Sequence, residues 1–279
     1  MKVYEGLARA FAAEGATAVF GMMGDGNMYW WEALDDCGVR TFEVRHEGAG
    51  LGMADGWARA THTPGVATAT CGPGVTQLAT ALVTASRASS PLVAFVGEAP
   101  SLDEEYVQHF DQSRFAGACE SGFVRVLAPD AALDAVRRAF YLAKMESRPI
   151  LLSAPMDIQQ KSFQSDDEVD DYQPSATLLP SQPLEPGRAA LEQAAELIVS
   201  SRKPIILVGR GAMWSGAGDA VLRLGQRIGA LIATTLMAKN WLNQDPYHVG
   251  ISGFYGTRTG IELLQEADCV VAVGASMNR

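Results

Sequence analysis

Along residues 1–155 the apolar positions switch back and forth between a helical spacing and short continuous runs. Val3, Leu7, Ala10 and Phe11 fall on one face at a period near 3.6, which predicts a helix over 3–14. Thr17–Phe20 is a short apolar run that leads into the glycine-bearing GMMGDGN, and Trp30, Trp31 and Leu34 mark a second helix. Thr41–Val44 reads as a strand and HEGAGLGMADGWARATH as a helix rich in Gly and Ala. Small residues three and four apart let such a helix approach a neighbour closely, at a cost in helix propensity. The strand GVATATC, a GPG turn, the helix VTQLATALVTASRAS and the strand PLVAFVGE follow. A less regular stretch near 101–120 precedes a helix at 130–146 and the strand PILLSAP. Apolar runs of strand length separated by helices predict a parallel sheet covered on both faces, the α/β class.

Between about 159 and 188 this rhythm stops. QQKSFQSDDEVDDYQPSATLLPSQPLEPG holds five carboxylates from Asp166 to Asp171 and four prolines, with almost no apolar periodicity. A surface linker is expected there, with the acidic run solvated. The α/β pattern then resumes with a helix at 189–200, the strand PIILVG, the loop GRGAMWSGAG, a helix at 219–228, the strand ALIATT, an irregular segment, a helix at 260–266 and the strand CVVAVG. The expected fold is α/β, with two consecutive open parallel-sheet domains that have helices on both faces. They span residues 1–160 and 188–279, joined by a linker over 161–187. Because the sequence stops right after a strand, the second domain reads as incomplete.

With 48% apolar and 19% charged residues the composition is that of a folded chain, not a disordered one. The net charge of −10 disfavours a nucleic-acid binder, which needs basic groups to displace phosphate counterions. It still allows a small anionic ligand held by backbone N–H groups. Cys37, Cys71, Cys119 and Cys269 are scattered without metal spacing, as expected of reduced thiols in a cytoplasmic protein. No apolar run is long enough to span a bilayer, so no membrane partner is expected.

Glycine-bearing turns follow four predicted strands, at Gly21, Cys71, Gly97 and Gly209. In an open α/β sheet, ligands bind beyond the carboxyl ends of the strands, where these turns lie. Neither GMMGDG nor GRGAMW completes G-x-G-x-x-G, and the phosphate-loop, G-x-S-x-G and H-E-x-x-H patterns do not occur. Glu47 stands out as a carboxylate after a strand, at the start of a helix whose next residues are Gly48, Ala49 and Gly50. On the residues alone, a helix cap or a partner for Arg45 is as natural a reading as a functional group. His46 is as plausibly a wall residue as a proton shuttle.

Arg45-His46-Glu47, Met53-Ala54-Asp55-Gly56-Trp57-Ala58-Arg59, Gly72-Pro73-Gly74 and the strand from Pro91 to Gly97 occur in that order. This ordered set resembles the pyrimidine-binding domain of the acetolactate synthase-like thiamine diphosphate enzymes, whose pattern is RHE, MADGYAR, GPG and PLV-x-I-x-G. GRGAMWSGAG, ATTLMAKN and EADCVVAVGAS resemble the same family's central domain. The resemblance implies that Glu47 hydrogen-bonds N1′ of the cofactor's aminopyrimidine and favours the imino tautomer that removes the thiazolium C2 proton. It implies that Gly72, Pro73 and Gly74 form the turn beside the pyrimidine. Gln108 would match the glutamine near the reaction centre, with Asp111 matching the aspartate of the same segment. Met23 and Gly24 fall in the family's substrate-facing loop, and Gln77 stands where asparagine is usual after GPG.

The implied activity is carboligation or decarboxylation of 2-oxo acids, with thiamine diphosphate as cofactor. Met23 for proline, Gln77 for asparagine and His109 for glutamate depart from the acetolactate synthase pattern and point to altered substrate preference. The family binds diphosphate through magnesium in a third domain, by GDG followed by an asparagine pair. Gly24-Asp25-Gly26 spells GDG but precedes Glu47 without that pair, so no metal ligand is assigned in this chain. A truncated product, or a subunit that works with a separate diphosphate-binding chain, is expected. The early stop inside the central domain favours the former. A non-catalytic relative that keeps the fold is the alternative. Some members carry FAD at the central domain, where Gly209 to Gly218 would lie. A homodimer or homotetramer is the expected assembly.

Overall fold

The apolar runs become the strands of a six-stranded parallel sheet: β1 (Ala18–Gly21), β2 (Arg40–Glu43), β3 (Gly65–Ala69), β4 (Leu92–Glu98), β5 (Gly122–Arg125) and β6 (Pro149–Pro155). These come from a computed structural model that describes residues 1–103, 105–165, 167–180 and 184–277. The chain forms two units, Met1–Ser181 and Gln182–Arg279. No helix among the described residues is long and apolar enough to cross a membrane.

In the first unit the strand order is β2-β1-β3-β4-β6-β5, with every neighbouring pair parallel. The chain goes outward from β1 to β2, then returns to the other side of β1 to begin β3. The order therefore reverses between β1 and β3, which opens a crevice at their carboxyl ends. Both faces of the sheet are covered. Phe11, Trp30, Leu34, Val136 and Phe140 pack on one side against Val93, Phe95 and Ile150. On the other side Leu51, Ala54, Ala58, Leu78 and Leu82 meet Ala67, Ala69, Ala94 and Leu151.

The second side is built from small residues, which explains the helix Glu47–Thr61. A Cβ on Gly50 would lie 2.8 Å from the Gly21 Cα, too close for any other residue without movement. The helix thus lies almost in contact with the β1 backbone, and its first residue is brought to the crevice.

Several elements differ from the sequence expectation. The single helix expected after GPG is two, Pro73–Thr76 and Ala79–Arg87, separated at the buried Leu78. The irregular stretch contains the helix Gln112–Ala118, capped by the Asp111 side chain accepting from Arg114 N at 3.0 Å. That hydrogen bond gives Asp111 a local capping role. Strand β5 was hidden because only alternate residues of GFVR are buried at this sheet edge.

The expected linker differs most, because much of 161–178 packs against the first unit. Val3 N donates to Lys161 O, Phe163 N donates to Met1 O, and Lys2 and Ser162 form an antiparallel bridge. Phe163 and Val169 join the core. Further on, Glu14, with its side chain fully buried, accepts from Ser175 N (2.6 Å), Ser175 Oγ (2.5 Å), Tyr172 OH (2.8 Å) and Lys144 Nζ (3.2 Å). Burial, then the Glu14 charge and hydrogen bond, push the Tyr172 hydroxyl pKa far up, so it remains a donor. Few apolar residues suffice because this buried carboxylate ties the segment down. Asp166, part of the expected acidic run, lies outside the described residues.

The second unit is a four-stranded parallel sheet of β7 (Pro204–Val208), β8 (Leu231–Thr234), β9 (His248–Ile251) and β10 (Cys269–Val273), in the order β10-β7-β8-β9. Ile206, Val208, Val221 and Ile232 form one core, with Ile205, Leu207 and Ala233 on the opposite face. Strand β9 falls in the segment that the sequence left irregular. Its residues are all partly exposed, so it carries no apolar run.

Candidate functional site

At the β1/β3 crevice, the turn after β3 meets the start of the helix Glu47–Thr61. Glu47 is the first residue of that helix and is half-buried. It does not cap the helix. His46 does so, its Nδ1 accepting from Gly48 N at 3.0 Å. Among the described residues no hydrogen bond or ion pair engages the Glu47 carboxylate, so pairing with Arg45 is not its role either. Its neighbour is the GPG turn, where a Cβ on Gly74 would lie 3.3 Å from Glu47 Oε1. An uncommitted carboxylate therefore stands beside a residue that has no side chain.

Gly72 adopts φ +62°, ψ −121°, a conformation L side chains rarely take. It also lies under the loop carrying Gln108, since a Cβ there would come within 2.6 Å of the Gln108 carbonyl oxygen. The loop and the turn are thus in contact through a position that only glycine fits. The structure brings Glu47, Gly72, Gly74 and Gln108 together around one turn. Gly24 joins them through Thr70: a Cβ on Gly24 would lie 2.6 Å from Thr70 Cβ, and one on Gly74 would lie 2.9 Å from Thr70 Cγ2. Met23 sits in the same loop, 45% exposed. Pro73 is exposed at the first position of its short helix.

Gln77 lies apart from this group. With His46, Gly48 and Thr76 it lines an open groove of about 540 Å³ between the helices Glu47–Thr61 and Ala79–Arg87. Glu47 does not line that groove. His109 is exposed, and Arg59 pairs with Asp55 one helical turn away, which accounts for both without a role in the crevice.

Sequence reasoning missed four residues here. Asp25, read as part of a false GDG, accepts from Thr70 Oγ1 at 2.8 Å and from Tyr106 OH at 2.9 Å. The hydrogen bond to Asp25, then burial and the carboxylate's charge, push the Tyr106 pKa up to about 12. Cys71 Sγ donates to Gln108 Oε1 at 3.0 Å, and burial first, then the Asp25 charge, raise the thiol pKa. The signal available in the sequence was position: Thr70 and Cys71 directly precede GPG, and Tyr106 lies two residues before Gln108. Among the described residues no group of three or more His, Cys, Asp or Glu side chains converges as a metal site.

Comparison with known proteins places this geometry in context. Residues 1–117 match the thiamine pyrophosphate enzyme, N-terminal TPP binding domain, and residues 191–279 match the thiamine pyrophosphate enzyme, central domain. The chain is 31% identical to a probable acetolactate synthase large subunit of Methanocaldococcus jannaschii, over 98% of this chain and 47% of that protein. It is 34% identical to the acetolactate synthase isozyme 2 large subunit of Escherichia coli, over 95% of this chain and 48% of the relative. A probable 2-ketoarginine decarboxylase of Pseudomonas aeruginosa is 32% identical, over 98% of this chain and 48% of the relative. The chain spans about half the length of these curated relatives.

Proposed function

The chain belongs to the thiamine pyrophosphate enzyme family, and on that premise we propose that it is the pyrimidine-side part of a thiamine diphosphate-dependent carboligase or decarboxylase of 2-oxo acids. The observation that carries this reading is the half-buried Glu47 carboxylate, uncommitted to any described residue and flanked by the bare Gly74. A flat heteroaromatic ring fits beside a residue that presents no Cβ, and an anionic acceptor suits a ring nitrogen that must gain a proton. The crevice thus fits the aminopyrimidine of the cofactor.

When bound, thiamine diphosphate supplies a carbon nucleophile that adds to the ketone of a 2-oxo acid and permits loss of carbon dioxide. The chain's own residues orient and polarise. Glu47 accepts a hydrogen bond from the ring and holds negative charge where the ring becomes positive. Gly72, Pro73 and Gly74 shape the turn that the ring lies on, with Gly24 and Met23 at the loop opposite. Gln108 presents an amide over the same turn, and Gln77 lines the neighbouring groove beside His46 and Gly48.

The first unit then serves as the pyrimidine-binding domain and the second as a central domain. Magnesium would be held with the diphosphate by a domain other than the two described, and FAD, if used, by the loop from Gly209 to Gly218. Family active sites form between subunits, so the working form is a homodimer, a homotetramer or a complex with a diphosphate-binding subunit. The varied relatives, synthases and a decarboxylase alike, support a 2-oxo acid substrate without choosing its side chain.

The test is C2 proton exchange of thiamine diphosphate followed by NMR, with the chain complemented by a domain that carries the magnesium–diphosphate site. Glu47→Gln keeps size and some hydrogen bonding but removes the anion, so exchange is expected to fall by about 100-fold or more. Folding should be unchanged. Equal exchange by wild type and mutant would remove Glu47 from this role. No exchange by either, despite bound cofactor, would favour a non-catalytic relative.

A further inference from the structure

Among the described residues of the loop at 99–110 none is in a helix or strand, and two of its apolar side chains, Leu102 and Val107, are more than nine-tenths exposed. Burial of those side chains does not hold it. Its ends are anchored by the buried Ala99, by Ser101 bonding Asp157 and by Phe110 packing on Phe115, and between them polar contacts on its inner side form a directed hydrogen-bond network. Gly26 N donates to Thr70 Oγ1 at 3.0 Å, Thr70 Oγ1 donates to Asp25 Oδ1 at 2.8 Å, and Tyr106 OH donates to Asp25 Oδ2 at 2.9 Å. An ionised carboxylate can only accept, so both hydroxyl protons are committed to it.

The fully buried Cys71 thiol has one proton. Asp25 Oδ1 is 3.9 Å away, whereas Gln108 Oε1 is the nearer acceptor at 3.0 Å. Burial and the nearby Asp25 charge keep the thiol protonated at neutral pH, so it acts as a donor. Gln108 is therefore pinned twice, by its backbone against Gly72 and by its side-chain oxygen against Cys71.

We propose that Asp25, Tyr106 and Cys71 form a clasp that positions Gln108, turning its carboxamide oxygen inward and leaving both Nε2 hydrogens for a ligand oxygen. Among the described residues no hydrogen bond engages Gln108 Nε2. A rigidly held amide with two open donors suits the carboxylate or carbonyl oxygen of a 2-oxo acid, and in this respect the clasp rests on the function proposed above. Asp25, Tyr106 and Cys71 are positioning residues that act through Gln108.

The test uses the full chain and needs no turnover. The side-chain amide signals of Gln108 are recorded by nitrogen-15 NMR, and the reaction of each cysteine with 5,5′-dithiobis(2-nitrobenzoate) is followed by mass spectrometry. Wild type should show two resolved Gln108 Nε2 protons shifted away from solvated glutamine. Cys71→Ser, whose hydroxyl can still donate, should retain them, and Cys71→Ala should lose them. Tyr106→Phe should release the loop, move the Gln108 signals to solvated values and raise the Cys71 labelling rate about tenfold, the size of one lost hydrogen bond.

If Tyr106→Phe fails to fold, Asp25→Asn asks the same question with a side chain of equal shape. Unchanged Gln108 signals in Cys71→Ala together with unchanged Cys71 labelling in Tyr106→Phe would overturn the clasp. A parallel titration of wild type with thiamine diphosphate and magnesium separates the two claims. Absence of binding with the expected Gln108 behaviour would count against the proposed function and leave the clasp standing.

Discussion

Strand β4 in the first unit and strand β10 in the second are both apolar runs followed by a glycine, yet they end in different surroundings. From Leu92 to Val96 each residue of β4 is buried, whereas β10 alternates partly buried and exposed residues, with Val270 44% accessible. The covering helices differ in the same sense. Ala132–Glu146 buries Val136, Ala139, Phe140 and others, while Arg188–Ser200 buries none of its residues within the described structure. Strand β4 is central in its sheet and β10 is at an edge. Position in the sheet, more than residue type, decides how far an apolar strand is enclosed. The crevice with Glu47 is built on the enclosed sheet, where close packing holds groups to the tolerance that a polarising carboxylate needs.

The largest expected effect lies in the enclosed unit. Phe95 is fully buried, stacks on Trp30 with ring centroids 4.2 Å apart and meets Phe11 edge-on. Phe95→Ala should cost about 3–5 kcal/mol, read as lost protection of first-unit amides in hydrogen exchange. A cost below about 1 kcal/mol would show that this core is loosely packed.

Glu14→Gln is the next test, because it asks where the enclosed unit ends. Losing the charge that accepts four hydrogen bonds should destabilise by about 1.5–3 kcal/mol and expose 172–178 to protease. If that segment stays resistant, Glu14 does not anchor it. The smallest effect is expected at the edge, where Val270→Ala should change stability by less than about 0.5 kcal/mol. A large loss there would mean that β10 is covered in solution.

The same contrast explains what could be read from the sequence. Continuous apolar runs such as PLVAFVGE and PILLSAP announce central strands, and they were found. GFVR and HVGI are short edge strands that carry no continuous apolar run, and both were missed, whereas the edge strand β10 was legible because CVVAVG is such a run. The segment at 161–178 resembled a linker because its attachments, backbone bonds to residues 1–3, two core side chains and Ser175 on the buried Glu14 carboxylate, are made to residues far away in sequence and give no periodic signal.

At the candidate site, Glu47, Gly72, Gly74 and Gln108 were legible through an ordered family pattern. Why Gly72 must be glycine was not, since the reason is the Gln108 backbone above it. Asp25 and Tyr106 are 81 positions apart, so only folding reveals that they meet.

The most direct test of the central claim is to locate thiamine diphosphate on the chain by NMR. The labelled chain is titrated with cofactor and magnesium in the presence of an unlabelled domain carrying the diphosphate site. The amide signals of Glu47, Gly72, Gly74 and Gln108 should move together and saturate, while those of Ile205 to Val208 in β7 stay in place. Saturable shifts confined to the second unit, with Glu47 and Gly74 unmoved, would contradict the account.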